Sequence, residues 1–240
     1  MSNKLLSLFE LMKLNFPVNP FVAIDFSNVP ANQVDSFINE GLAFFKSRVN
    51  CDRVLLRSGL SGCHEVQLPL ANDLPYNDDK LIITKIREIL TKLKSNAALN
   101  DAFIIIQKWT PDSDYLFSAN LLPLNDSLVF DVALGNHISL DRANRINCAL
   151  KLSGNKLEVI KSSLAGNDLF RLQGLINKLV SKYNFVDGNV YEFSFLKDGL
   201  TFYQIKKPGK LVKQPLSKID FYKKLGELKI DSSNILRKQI

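Results

Sequence analysis

The chain of 240 residues has only three cysteines, two histidines, two methionines and one tryptophan. Cys51, Cys63 and Cys148 are odd in number and far apart. That speaks against a disulfide framework and for reduced thiols, so a cytoplasmic setting is expected. His64 and His137 share no metal-ligand spacing with each other or with the cysteines, which argues against zinc. No stretch approaches 18 consecutive apolar residues, so neither a transmembrane helix nor a membrane partner is expected. The opening apolar run Leu5, Leu6, Leu8 and Phe9 is broken by Glu10 and Lys13 and has no small-residue cleavage site, so it does not read as a signal peptide. A Walker A lysine loop and a Rossmann glycine fingerprint are both missing. Ser58 stands in Arg57-Ser58-Gly59, without the strand–G-x-S-x-G–helix setting of a hydrolase nucleophile. There is no internal repeat and no low-complexity tract.

What is present is ample core material. Hydrophobic residues make up 46% of the chain and aromatic residues 10%, enough for one large domain or two packed lobes. The net charge of +7 is unevenly placed: from Lys206 onward ten basic residues face three acidic ones, so this segment alone carries the whole excess. A basic tail over 206–238 could meet nucleic acid or an acidic protein, or be a solvated helix.

Hydrophobic spacing predicts helices over Leu5–Leu14, Val34–Arg48, Lys80–Leu93 and Asp168–Tyr183. A tail helix is expected over Ser217–Leu228, with Ser217 as cap and Asp220 three residues on. Strands are predicted over Phe21–Phe26, Arg53–Arg57, Ala102–Gln107, Tyr115–Leu122, Leu128–Leu134, Ala149–Leu152 and Leu157–Ile160. Ser58 to Gly62 reads as a flexible loop. Helices and strands mix without regular βαβ alternation, which favours an α+β fold over a doubly wound sheet.

The most informative segment is the hairpin Asn189–Lys206. A three-residue loop, Lys197-Asp198-Gly199, would use Gly199 at positive φ. The register would then pair Leu196 with Leu200, Ser194 with Phe202, Glu192 with Gln204 and Val190 with Lys206. Tyr191, Phe193, Phe195, Thr201, Tyr203 and Ile205 would fill the other, mostly apolar face. A carboxylate, an amide and an ammonium would thus share one face. Such a face could hold magnesium and reach phosphate oxygens, or be a plain solvated sheet surface.

Several stretches, in order, resemble the nucleotide-binding domain of the phosphoenolpyruvate synthase and pyruvate phosphate dikinase family. Lys4 to Phe21 is similar to that family's opening helix and proline turn. Leu55 to Leu70 is similar to its R-S-G strand end and glycine-rich loop. Ile104 to Trp109 (I-I-I-Q-K-W) looks like its hinge strand. Tyr191 to Lys206 resembles its closing hairpin, with Glu192 and Gln204 twelve residues apart. The resemblance implies an ATP-grasp-like α+β fold: two lobes with mixed or antiparallel sheets flanked by helices. It implies boundaries at 1–100 for the N-terminal lobe and 101–207 for the lobe with hinge and hairpin, which leaves 208–240 as the basic tail helix.

The resemblance also implies ATP and Mg2+ as cofactors. Lys4 and Arg57 would contact phosphates, Gln107 would sit at the adenine hinge, and Glu192 would bind the metal. Gln204 would touch the transferred phosphate, with Arg57, Gln204 and Lys206 as the catalytic set. The reaction implied is phosphoryl transfer to a histidine on a partner protein. Departures stand beside the matches: Val190 replaces an aspartate, Lys206 an arginine, and Gly135-Asn136 a glycine–glutamate pair. They leave open a non-catalytic relative acting in interaction or assembly, or a nucleic-acid-binding protein using its tail.

Overall fold

The computed structural model describes residues 3–27, 29–60, 70–94, 102–136, 146–206 and 235–236. They form two units. The first takes in Met1–Phe9, Asn19–Trp109 and Val212–Ile240, the second Glu10–Val18 and Thr110–Leu211. In chain order the elements are α1 (Asn3–Lys13), β1 (Phe21–Asp25), α2 (Val34–Arg48), β2 (Arg53–Leu60), β3 (Leu70–Pro75) and α3 (Asp79–Lys94). There follow β4 (Ala102–Lys108), β5 (Tyr115–Leu124), β6 (Ser127–Leu134), β7 (Cys148–Ser153), β8 (Lys156–Ser162) and α4 (Gly166–Lys182). The last are β9 (Val190–Leu196), β10 (Gly199–Lys206) and β11 (Ile235–Leu236).

The first unit is a five-stranded sheet in the order β11-β1-β4-β2-β3. Its central strand β4 is an unbroken apolar run, A-F-I-I-I, because both of its faces are buried. Ala102, Ile104 and Ile106 join Val22, Ile24, Val54 and Leu56 against the helices. From α2 come Phe37, Ile38, Leu42 and Phe45, and from α3 Ile82, Ile86, Ile89, Leu90 and Leu93. The α3 spacing of four, seven, eight and eleven puts all five on one stripe. The Asp78 carboxylate accepts the Leu81 N–H at 2.9 Å and so caps that helix. The two helices are tied by Lys46 to Asp79 and by Arg87 to Asp35. On the other side of the sheet Phe9 of α1 meets Phe21 with ring centroids 5.7 Å apart.

The second unit is a six-stranded sheet in the order β10-β9-β5-β6-β7-β8, antiparallel throughout. Helix α4 supplies Leu172, Ile176 and Leu179 to its core. Phe117, Ala119 and Leu121 of β5, Phe130 and Val132 of β6, and Tyr191, Phe193 and Phe195 of β9 belong to the same core. Phe16 sits in an aromatic cluster, 4.5 Å from Phe202 and 5.0 Å from Tyr183 between centroids. The Phe202 N–H donates to Pro17 O at 2.7 Å, so the chain before β1 borders β10.

The α+β fold with sheets flanked by helices is as expected, and the helices and most strands fall where hydrophobic spacing puts them. Several expectations need correction. Ser58 to Leu60 continues β2 and is not loop; it pairs with Ala102 to Ile104. β3 was not expected: Asp73 at φ +56 and the terminal Pro75 disguise it, and it sits at the sheet edge where both are tolerated. Ile235–Leu236 pairs in parallel with Ala23–Ile24, so the tail is not a helix alone. The expected helix at Ser217–Leu228 lies outside the described residues, as do Cys63, His64 and His137.

Candidate functional site

The hairpin keeps the expected pairing at its open end and changes it near the turn. Glu192 faces Gln204 and Lys206 faces Val190, but Gly199 faces Leu196 and Thr201 faces Ser194. The connecting loop is therefore Lys197-Asp198, two residues long. Gly199 is not among the residues at positive φ. The extra residue is taken up at Tyr203, where the register shifts between Phe202 and Gln204. A bulge of one residue reverses the faces beyond it. Phe202 thus packs in the core against Phe193, centroids 5.1 Å apart, and not on the polar face with Ser194.

The polar face runs well beyond the hairpin. Glu192 also stands opposite Asn120 of β5, and Asn120 opposite Asp131 of β6. Asp131, Asn120, Glu192 and Gln204 therefore form one row across four strands, on the face turned away from the apolar core of this unit. One step along, Ser118, Ser194 and Thr201 form a second row. Ser118 and Ser194 share a hydrogen bond of 2.6 Å between hydroxyls, and Ser118 Oγ also donates to Gly135 O at 2.6 Å.

Burial separates the middle of this face from its rim. Ser118 and Ser194 are fully buried and Glu192 is only 3% exposed. The Glu192 carboxylate is ion-paired with the Lys206 ammonium, whose side chain is half exposed. The Asn120 Oδ1 is buried with no hydrogen-bond partner among the described residues. Burial pushes the Asp131 carboxyl above the usual carboxylate range. Burial also raises the Tyr115 hydroxyl, against hydrogen bonds to Tyr203 and Thr110 that lower it.

The remaining expected site residues belong to the first unit. Arg57 of β2 faces Ile105 and Gln107 of β4 faces Leu55, which puts both side chains on the sheet face away from α2 and α3. Arg57 is half-buried and Gln107 is 1% exposed. The Gln107 amide donates to Asn19 O at 3.2 Å, while Asn19 donates back to Lys108 O at 3.3 Å. Lys4 lies in the first turn of α1. So the structure brings Glu192, Gln204 and Lys206 together in one unit and aligns Arg57 with Gln107 in the other. Asn136, which replaces an expected glutamate, donates to Asp112 at 2.9 Å.

Sequence reasoning placed Ser194 on the face of Glu192 but missed Asn120, Asp131 and Ser118. The signal was there as alternation: F-S-A-N-L in β5 and F-D-V in β6 place a polar residue at every second position. The alternation says that a polar face exists, but only the pairing of strands says that the four faces meet.

Magnesium takes hard oxygen donors, usually one or two carboxylates completed by phosphates and water. Glu192, the unpartnered Asn120 Oδ1 and Asp131 are donors of that kind, so the second unit fits such an ion. Among the described residues no group of three or more His, Cys, Asp or Glu is gathered to cage a metal by itself. No described helix is long and apolar enough to cross a membrane.

No family model matches the chain, and no curated protein matches it. Solved structures do show likeness. A D-alanyl-alanine synthetase A from Vibrio cholerae aligns at TM-score 0.44 and 10% identity, over 96% of this chain and 61% of that one. A RimK domain protein ATP-grasp from Sphaerobacter thermophilus aligns at TM-score 0.42 and 10% identity, over 97% and 65%. A D-alanine–D-alanine ligase from Helicobacter pylori aligns at TM-score 0.43 and 14% identity, over 100% and 59%. The chain thus spans about three fifths of the length of these proteins. Likeness of this degree carries over neither ligand nor reaction.

Proposed function

We propose that the chain is an ATP-binding protein of ATP-grasp type whose second unit holds the metal–phosphate end of Mg-ATP. The observation that carries this reading is the row Asp131, Asn120, Glu192 and Gln204, with a buried carboxylate at its centre and a mobile-length cation, Lys206, beside it. Magnesium bound there would neutralise phosphate charge and fix phosphate geometry. Glu192 would hold the ion. Lys206 would leave Glu192 and turn its ammonium to a phosphate oxygen, as a point charge without the two-pronged grip of an arginine. Gln204 would donate its amide to the same phosphate. Arg57, Gln107 and Lys4 enter the reading through the resemblance to phosphoenolpyruvate synthase and pyruvate phosphate dikinase. That resemblance also suggests the finer activity, transfer of a phosphoryl group to a histidine on a partner.

Isothermal calorimetry with ATP, with and without magnesium, tests the reading on the wild type and Glu192→Gln. Expected is magnesium-dependent binding that the variant weakens by about tenfold or more, a loss of at least ~1.4 kcal/mol. Absence of binding to any purine nucleotide would sink it. One observation favours a second reading, a non-catalytic relative. Val190 and Asn136 put an aliphatic group and a bonded amide where the related family has carboxylates. Nucleotide binding without turnover of ATP in the presence of any phosphohistidine-type carrier would favour it.

A further inference from the structure

We infer that Asn120 is a direct ligand of the cation, so that the ion is held across β5 and β9 and not along one strand of the hairpin. The inference rests on the magnesium-nucleotide reading and adds to it a ligand outside every stretch that resembles the phosphoenolpyruvate synthase and pyruvate phosphate dikinase family. Asn120 and Glu192 are a directly opposed cross-strand pair on one sheet face. Side chains in such pairs leave Cβ atoms about 4.5–5.5 Å apart. Oxygens on a magnesium ion with bonds of about 2.1 Å stand roughly 3–4 Å from one another. An amide oxygen and a carboxylate oxygen carried on opposed strands can therefore meet on one ion with little side-chain rearrangement. Val190, two residues from Glu192 on the same strand, carries no donor.

The chemistry of the amide points the same way. The Asn120 Oδ1 is buried and accepts no hydrogen bond from any described residue. A buried acceptor is ordinarily paired. The neighbours in its row cannot serve it well: Glu192 and Asp131 as carboxylates offer no hydrogen. A cation satisfies such an oxygen and both flanking carboxylates at once. Asp131 stands one strand further out, opposite Asn120, and is not needed as a ligand.

Mn2+, read by electron paramagnetic resonance, replaces Mg2+ as the probe. The free-ion signal is titrated against the full chain with ATP present, for the wild type, Asn120→Ala, Asn120→Asp and Glu192→Gln. Expected is a weakening of Mn2+ affinity by about tenfold in Asn120→Ala, with affinity kept or raised in Asn120→Asp, which restores an oxygen donor. Thermal unfolding of each variant separates ligand loss from loss of fold, and Asn120→Asp provides the isosteric variant should alanine fail to fold. If Glu192→Gln abolishes Mn2+ binding while Asn120→Ala stays within about twofold of the wild type, the inference falls and the nucleotide reading stands. If the wild type binds neither ATP nor Mn2+, both fall.

Discussion

Removing Lys206 should cost the fold more than removing the charge it neutralises. The Glu192 side chain is 4% exposed and that of Lys206 49% exposed, so the two ends of this ion pair have unequal access to water. Lys206→Met leaves a buried carboxylate without its ammonium. Breaking a fully buried pair in this way costs about 3–5 kcal/mol. Lys206 is half solvated, and such a pair yields less, so about 1–3 kcal/mol is expected here. Glu192→Gln is the opposite case. The freed ammonium turns to water and the amide keeps the shape of the side chain, so a loss under about 1 kcal/mol is expected. In the double variant neither charge of this pair is left, and most of the Lys206→Met loss should return. Urea unfolding of the four proteins at neutral pH and fixed ionic strength closes the cycle. A coupling of at least ~1 kcal/mol is expected. A coupling within about 0.3 kcal/mol, or a Glu192→Gln variant weaker than Lys206→Met, would refute the view that Lys206 is the counter-ion of a carboxylate that cannot reach solvent.

Two further outcomes follow from the packing. Asp131 has its carboxyl raised by burial, so the folded chain holds that proton more tightly than the unfolded chain. The stability linked to it is full at low pH and is lost as pH rises through the folded value. Asp131→Asn should therefore match the wild type in acid and exceed it at pH 7, by less than about 1 kcal/mol because the group keeps part of its solvent. Urea midpoints that differ equally at about pH 4 and 7 would contradict this. Gly41 lies on α2 against Ile24, and a Cβ there would meet Ile24 Cγ1 at 2.7 Å. Overpacking of about 1–3 kcal/mol outweighs a helix-propensity gain of about 1 kcal/mol, so Gly41→Ala should lower stability, and adding Ile24→Val should restore part of it.

Where the sequence was legible, the cause was a single period acting over a whole element. Val34–Arg48 came out with its ends in place because Phe37, Ile38, Leu42 and Phe45 hold one helical stripe to its last turn. The pairing of Glu192 with Gln204 came out because Tyr191, Phe193 and Ile205 alternate strictly with polar residues. The turn did not. An α-left glycine with a three-residue loop, and a two-residue loop with a bulge at Tyr203, give the same pairing beyond the bulge and opposite faces before it. The sign of the second was the spacing of Phe202 and Ile205, three apart and both in the core. A regular strand cannot bury both. β3 and β11 left weaker traces still, the first a short edge strand ending in proline, the second only two residues long.

The candidate site was half legible for a related reason. Each of β5, β6, β9 and β10 shows its own polar alternation, and each alone reads as a half-wet strand. Further out on the same face Lys151 and Glu158 face one another and Ala149 faces Lys161, and there the surface is an ordinary wet one, for Glu158 and Lys161 are exposed. At Ser118, Ser194 and Glu192 it is not, because those side chains are buried. Stability alone gives no reason to keep a carboxylate in such a place. An aliphatic residue of similar volume in place of a buried ion pair is commonly neutral or stabilising. Glu192 is instead balanced by Lys206, a half-exposed cation at the end of β10. A fixed structural pair would be better served by a buried, two-pronged arginine. On the proposed reading that cation would be exchanged for a metal ion, and the burial of the carboxylate beside a half-exposed ammonium is what sets this row apart from an ordinary sheet surface.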